Sequence, residues 1–199
     1  SALMQGLADG YFVLPNTIRD YLSHGPFPTV PETAPEVVEA QQNVQQRVQH
    51  FLSCNGTRTV DSFHKELGKI MWDYCGMERT EPGLRKALSE IPTLYAEFQK
   101  DLKVLGDDRS LNQSLERAGR VDDFFQLGYQ MCQDALVREE SCGGHFRAEH
   151  QYEDGEAKRD DENFSHVSAW EYTGTMAAGT KHKEQLDYEF VHRSVRSYK

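Results

Sequence analysis

Four stretches of the chain place apolar residues every three or four positions, which is the spacing of one face of an α-helix. This pattern predicts helices over residues 35–53, 59–75, 81–105 and 109–138. The third stripe consists of Leu84, Leu88, Ile91, Tyr95, Phe98, Leu102 and Leu105. Consecutive helices with short connections pack as antiparallel neighbours. The sequence therefore predicts a mainly α fold, a spectrin-repeat-like antiparallel bundle of three or four helices.

The segment before the bundle has a different pattern. Residues 3–22 begin as a helix with apolar positions on one face, and Pro15 is expected to kink that helix or to end it near Leu14. Residues 23–35 contain four prolines, which excludes regular structure and indicates a linker. We place a domain boundary here, so that residues 1–34 form a terminal helix and linker.

Regular periodicity ends after the last predicted helix, which closes a bundle domain over residues 35–139. Residues 140–163 are polar and contain glycine, and we interpret them as a loop. Residues 164–173 and 185–192 then alternate apolar and polar positions, as half-buried strands do. Joined by a turn, they predict a short antiparallel hairpin in a C-terminal unit of residues 140–199.

Composition excludes several functional classes. The chain has 199 residues and a net charge of −10, so a nucleic-acid or anionic-membrane surface is not expected. None of its apolar runs approaches the ~20 residues of a membrane span. The four cysteines are dispersed without a C-x-x-C pair, which is typical of reduced thiols in a cytoplasmic protein. The first methionine is Met4, and we interpret Ser1 as a point within a longer protein.

The sequence lacks the common nucleotide-binding and catalytic motifs. The sequence has no G-x-G-x-x-G, Walker or G-x-S-x-G motif, so we expect no dinucleotide site of its own. Cys142, His145 and His150 have the residue types of zinc ligands, but a fourth ligand is not evident and we do not assign a metal site. Asp122 and Asp123 are adjacent on a helix and point about 100° apart, so they do not converge.

The densest polar stretch runs from Arg138 to Asp161. Its arginines lie beside paired acids and two glycines, at a density that an apolar core does not require. The alternatives are a solvated charged loop and an interface, and the prevalence of arginine over lysine favours the interface. If the segment serves only an interface, replacing Arg147 in the isolated chain is expected to change its melting little. The interface residues assigned here are Arg138, Glu139, Ser141, His145, Arg147, Arg159, Asp160 and Asp161.

Three motifs together resemble one protein family. Residues 138–147 read R-x-E-S-x-G-x-H-x-R and are followed by R-D-D at residues 159–161. Residues 1–10 read SALMQGLADG, and residues 196–198 read R-S-Y. The set is similar to the C-terminal portion of the succinate dehydrogenase and fumarate reductase flavoprotein. Many members have arginine where this chain has Cys142, so a contact of that arginine is not carried over.

The resemblance implies a larger enzyme that interconverts succinate and fumarate by hydride transfer at FAD. It implies a dicarboxylate substrate, an iron–sulfur subunit and membrane anchor subunits as partners, and a peripheral position on the cytoplasmic face of the inner membrane. Residues 1–34 would be left over from the FAD-binding domain, with the backbone of Ala2 and Leu3 beside the flavin. The flavin-binding and catalytic residues would lie upstream, so the isolated chain is expected to be inactive and to bind no FAD.

Two other interpretations stay open. One is a related flavoprotein of the L-aspartate oxidase or adenylylsulfate reductase type, although the polar tail and R-S-Y ending favour the first family. The other is a stand-alone helical interaction module.

Overall fold

The computed structural model describes residues 2–192 and 194. The chain divides into two compact units, Ser1–Gln45 and Gln46–Lys199. The division falls inside a helix and not in the proline-rich linker, while the assignment of domains at residues 34 and 139 stays a prediction.

The first unit is helical from its start. Helix α1 spans Ala2–Ala8, a π-helical segment spans Asp9–Val13, and α2 spans Leu14–Ser23. The prediction that Pro15 ends the helix near Leu14 is wrong. Pro15 lies in the first turn of α2, where its missing N–H is tolerated, and the wide π segment directly before it absorbs the change in hydrogen bonding. Residues 25–31, which contain three of the four prolines, are irregular as predicted, whereas Ser23 ends α2 and Pro35 begins α3.

Helix α3 spans Pro35–Ser53 and has the predicted bounds. In the second unit, α4 spans Val60–Cys75, α5 spans Glu81–Asp101 and α6 spans Gln113–Val137. The bundle and its mainly α class are confirmed. Side-chain oxygens of Thr59, Thr80 and Asn112 accept backbone N–H groups at the three helix starts, which stabilises each end by about 1 kcal/mol.

Ring contacts fix the directions of the three helices. Phe63 meets Phe98 at 5.3 Å, whereas Lys86 lies 5.0 Å from the Tyr74 ring, so α4 and α5 are antiparallel. Tyr95 meets Phe125 at 5.4 Å and Gln99 donates to Asp122, which makes α5 and α6 antiparallel as well. The core between them is fully buried at Phe63, Leu84, Ile91, Phe98 and Phe125.

Two predicted helices are longer than the observed ones. Strand β1, Arg58–Thr59, pairs in parallel with β2, Leu102–Lys103, so α5 ends at Asp101 instead of residue 105. Helix α6 starts at residue 113 because Asn112 caps it and also donates to the Leu105 and Asp107 carbonyls. Local hydrogen bonds therefore override the apolar period at these ends.

A hairpin follows the polar segment. The short helix α7 spans Asp161–Phe164, β3 spans His166–Glu171 and β4 spans Thr180–Gln185 in antiparallel register. The hairpin and the alternation in β3 are confirmed, but the second strand was placed at residues 185–192, which is wrong. Strand β4 is polar and largely exposed, so no hydrophobic alternation marks it.

The hairpin packs on α6. Trp170 Nε1 donates to Asp134 Oδ1 at 2.8 Å, and the Met176 amide donates to Gln126 Oε1 at 3.3 Å. Each helix within residues 2–192 is too short or too polar to span a bilayer.

Candidate functional site

The polar segment that follows α6 folds against the end of the bundle. The Arg79 amide donates to the Phe146 carbonyl at 3.0 Å, and the Ala148 amide donates to the Arg79 carbonyl at 2.8 Å. Arg79 lies in the connection between α4 and α5, so the segment is hydrogen-bonded to that connection. Glu140, Ser141, His145 and Arg147 are buried within this chain. The inference that the bundle does not require these polar residues is therefore wrong.

Arg147 is the largest of the fully buried side chains, with 2% of its surface exposed. Its Nη1 donates to the Ala135 carbonyl at 2.9 Å and to the Leu136 carbonyl at 3.1 Å. These carbonyls belong to the last turn of α6, where intrahelical donors run out. Arg147 thus supplies a positive charge and hydrogen-bond donors to the negative end of that helix.

Glu149 connects this arginine to another helix. Its Oε2 accepts from Arg147 Nε at 3.2 Å, and its Oε1 accepts from the Glu81 amide at the start of α5 at 2.6 Å. Burial opposes ionisation of Glu149, but the amides of Glu81 and Glu149 and the Arg147 guanidinium bring its pKa below the usual value. The Arg147–Glu149 pair therefore joins the end of α6 to the beginning of α5.

Ser141 fixes the backbone on which Arg147 stands. Its Oγ donates to the Arg147 carbonyl at 3.1 Å and accepts from the Arg147 amide at 2.8 Å. The Ser141 amide donates to the Lys158 carbonyl at 2.9 Å. A fully buried hydroxyl with these partners leaves the arginine little freedom to move.

His145 uses both ring nitrogens. Nε2 lies 2.8 Å from the Arg138 carbonyl and Nδ1 lies 3.0 Å from Arg79 Nη1. A carbonyl accepts and a guanidinium donates, so the ring is neutral with its proton on Nε2. Burial lowers the pKa of His145, and the charges of Arg138, Arg79 and Arg147 lower it further, against the hydrogen bond to the Arg138 carbonyl. With both nitrogens occupied, His145 is not available as a metal ligand.

A second group of charged residues surrounds Glu140, whose side chain is 3% exposed. Its Oε1 accepts from Arg138 Nε and Nη2 at 2.9 and 2.6 Å, and its Oε2 accepts from the Asp160 amide at 2.9 Å. Arg159 donates to both Asp161 oxygens, and its Nη1 donates to the Ser194 carbonyl at 3.1 Å. The hydrogen bonds that Arg159 donates to Asp161 are the main cause that raises the pKa of Arg159.

A polar cleft of about 300 Å³ opens between this group and the hairpin. Arg138, Arg159 and Asp161 line it on one side, and residues of β3 and β4 line it on the other. Ser141, His145 and Arg147 belong instead to the buried group at the C-terminal end of α6. Glu139 is exposed. The structure therefore brings seven of the eight assigned interface residues into two neighbouring groups that Arg138 joins.

The sequence alone does not single out four residues that contribute to these groups and to the cleft. They are Arg79, Asp134, Glu149 and Lys181. Arg79 follows α4 without a motif, and Lys181 lies in the strand that was placed too late. No local pattern distinguishes these residues, because their partners are distant in sequence.

The first unit shows a different kind of surface. Large apolar side chains of α1, the π segment and α2 are exposed at Leu3, Met4, Leu7, Tyr11, Phe12, Val13, Leu14, Ile18, Tyr21 and Leu22. Ala2 begins α1. So many exposed large apolar side chains in one short segment are typical of a segment that another element covers.

Residues 2–192 and 194 contain no group of three His, Cys, Asp or Glu side chains placed to hold a metal ion. The four cysteines are free thiols in the structure.

The chain matches known proteins over most of its length. It is 31% identical over 148 residues to the fumarate reductase flavoprotein subunit of Helicobacter pylori, covering 74% of this chain and 20% of the relative. A more distant match, 23% identical over 127 residues, is an L-aspartate oxidase of Synechocystis, covering 57% of this chain and 23% of the relative. The chain thus spans about a fifth of the length of these relatives.

The fold also matches a solved structure. Quinol fumarate reductase from E. coli, carrying a point mutation, superposes with a TM-score of 0.62 at 23% identity, over 90% of this chain and 28% of that one. The family model described as fumarate reductase flavoprotein C-term matches residues 64–198, which include the bundle helices α5 and α6 and both groups of polar residues. The chain therefore belongs to the C-terminal domain family of the succinate dehydrogenase and fumarate reductase flavoproteins.

Proposed function

We propose that the chain is the C-terminal part of a succinate:quinone oxidoreductase flavoprotein that interconverts succinate and fumarate. Hydride transfer would take place at FAD, which the remainder of the protein would hold together with the dicarboxylate. The family match over residues 64–198 carries this proposal. FAD supplies the redox chemistry in such an enzyme, and the polypeptide supplies binding and orientation.

The residues described here do not fit an FAD site by themselves. The cleft beside Arg159 is polar and has a volume of only about 300 Å³, at the lower limit for small-molecule sites. Gly143 and Gly144 lie in a turn and do not begin a helix that could receive a pyrophosphate. We therefore propose that the isolated chain is inactive and without flavin, and we derive no catalytic step through its residues.

The role proposed for the chain is structural. The exposed apolar surface of residues 2–23 would pack against the remainder of the flavoprotein, with the backbone of Ala2 and Leu3 near the flavin. In the second unit, the outer residues of the polar segment would contact that remainder. Arg138 and Asp161 keep 35% and 40% of their side chains exposed, so they can contact another surface while the buried group at the C-terminal end of α6 fixes their backbone.

Partners follow from the proposed activity. An iron–sulfur subunit would accept the electrons, and membrane anchor subunits would hold the complex at the cytoplasmic face of the inner membrane. The similar E. coli structure carries the name quinol fumarate reductase, which supports a quinone as the distant redox partner. The negative net charge of −10 gives no support to a nucleic-acid partner.

The principal alternative is a flavoprotein of the L-aspartate oxidase type, which the Synechocystis match favours. To separate the two, the longer protein that contains this chain is assayed with fumarate and a reduced viologen dye, and with L-aspartate and oxygen. Fumarate-dependent dye oxidation with bound FAD supports the proposal. Oxidation of L-aspartate without fumarate reduction would contradict it, and a yellow isolated chain would contradict the structural role.

A further inference from the structure

The cleft between the polar segment and the hairpin contains one lysine, Lys181, that forms no contact ion pair among the described residues. Six Asp, Glu, Lys and Arg side chains line it: Asp134, Arg138, Glu140, Arg159, Asp161 and Lys181. Glu140 is bound by Arg138 and Asp161 by Arg159, each pair at 2.6 Å. Four of the six charges are thus compensated in contact pairs, which leaves Asp134 and Lys181.

Asp134 and Lys181 do not form a contact pair. Asp134 Oδ1 accepts from Trp170 Nε1 at 2.8 Å, and Lys181 Nζ lies 5.7 Å from the centre of the Trp170 ring. Within residues 2–192 and 194, no carboxylate oxygen lies within 4.0 Å of Lys181 Nζ. Partial burial of an ammonium without a contact anion is unfavourable. Burial is the main cause that lowers the pKa of Lys181, and Lys183 and Arg138 lower it further against the charge of Asp134.

The hairpin wall of the cleft is positive. Lys181 and Lys183 are two residues apart on β4 and therefore share a face, opposite Trp170 and Ser168 of β3. His166 lies on that same face of β3 and lines the cleft. Lys183, Lys181 and Arg138 are the charges that lower the pKa of His166, after burial. Lys181 and Arg138 thus line the cleft, and Lys183 lies next to it on the same face of β4.

We propose that this cleft binds a carboxylate group between Lys181 and Arg138. A single unpaired ammonium matches a monovalent carboxylate better than a phosphate dianion, because Glu140 and Asp161 already bind the two arginines and the charge of Asp134 acts on Lys181. The carboxylate comes either from a small molecule in solution or from an acidic side chain of the remainder of the protein. Only the second source depends on the proposed larger flavoprotein.

The test uses the 199-residue chain with uniform ¹⁵N and ¹³C labels. Sodium acetate replaces sodium chloride at constant ionic strength, while the backbone amides of β3 and β4 and the Lys181 Cε signal are followed by NMR. We expect saturable shifts around the cleft and a higher Lys181 pKa at saturation. Lys181→Gln should weaken acetate binding by about tenfold or more, since a charge-assisted hydrogen bond is lost. Lys181→Arg should retain it.

Lys183→Gln is the graded control: it removes the same charge two residues along β4 from a side chain that does not line the cleft, so it should weaken acetate binding less than Lys181→Gln does. Equal loss of binding in Lys183→Gln and Lys181→Gln, or no saturable acetate effect in the folded chain, overturns the proposal. Tighter binding of inorganic phosphate than of acetate overturns the carboxylate assignment. If the longer protein that contains this chain still binds acetate, the site takes a carboxylate from a small molecule in solution. If the longer protein does not bind acetate but the 199-residue chain does, an acidic side chain of the remainder of the protein occupies the site.

Discussion

Arg147 and Glu149, two residues apart in an irregular segment, connect opposite ends of two helices. The arginine donates to the carbonyls of Ala135 and Leu136 at the end of α6, and Glu149 accepts from the first amide of α5. Each residue compensates the helix end that it meets, since cations stabilise helix C-termini and anions stabilise N-termini. The pair thus holds two antiparallel helices in register from outside the apolar core.

Replacing Arg147 with Ala should destabilise the 199-residue chain by about 3 kcal/mol, because it removes a buried guanidinium that donates to two helix-terminal carbonyls and to the partly exposed Glu149. The loss would leave two helix-terminal carbonyls without a donor in a region that water does not reach. Urea unfolding followed by circular dichroism measures it. This outcome reverses the expectation, drawn from composition alone, that the isolated chain would melt almost unchanged.

Arg120→Ala serves as the control for Arg147→Ala. Arg120 pairs with Glu116 on the exposed face of α6, where loss of an ion pair changes stability by about 0.5 kcal/mol or less. Similar small effects of the two substitutions would show that Arg147 contributes no more than a surface charge.

The stability of the chain should fall as the pH drops below about 6.5, the ordinary pKa of histidine, because of His145. Burial lowers the folded-state pKa of His145, so the unfolded chain binds more protons between the two values. Stability is then complete above the unfolded pKa, decreases as the pH falls below it and levels off below the folded pKa. Protonation would also place an Nδ1 hydrogen against Arg79 Nη1.

His145→Gln isolates this contribution to the pH dependence. A glutamine amide can donate to the Arg138 carbonyl and accept from Arg79, but it does not titrate in this range. The free energy of unfolding of His145→Gln should therefore change less between pH 7.5 and 5 than that of the unmodified chain. The exposed His182→Gln is the comparison, and an unchanged slope in His145→Gln would contradict the prediction.

Trp170→Phe should loosen the hairpin without loosening the bundle. The substitution keeps an aromatic ring but removes the Nε1–H that binds Asp134, a hydrogen bond to a charged group that contributes about 1.5–3 kcal/mol. Hydrogen exchange should become faster in β3 and β4, with little change in α5. Trp72→Phe, the same substitution at an exposed tryptophan of α4, should leave both unchanged. Equal acceleration in α5 would mean that hairpin and bundle open together.

The apolar period predicted the helices well because their buried faces follow it. Leu84, Ile91 and Phe98 of the third stripe are all fully buried. The period was uninformative for β4, which is polar on both faces, and at the end of α5, where pairing with β1 takes over. The role of the assigned residues as an interface stays a prediction, and the burial of Ser141, His145 and Arg147 within this chain was not foreseen. It depends on Arg79 and Glu149, whose contacts join positions 66 to 69 residues apart.

Two glycines should respond in opposite directions to alanine. A Cβ at Gly56 would lie 2.0 Å from the Asp101 carbonyl carbon, where the chain passes between β1 and the end of α5. Because backbone atoms cannot yield as a flexible side chain does, Gly56→Ala should destabilise the chain by about 2 kcal/mol or more, at the level of overpacking in a core. Gly68 lies within α4 with open space around its Cβ position, so Gly68→Ala should stabilise the chain by about 0.5–1 kcal/mol through helix propensity. Thermal unfolding of the two variants and of the unmodified chain measures the direction of both changes in stability. Loss of stability in Gly68→Ala would mean that this face of α4 is covered in solution, and a neutral Gly56→Ala would mean that the β1–β2 pairing does not form.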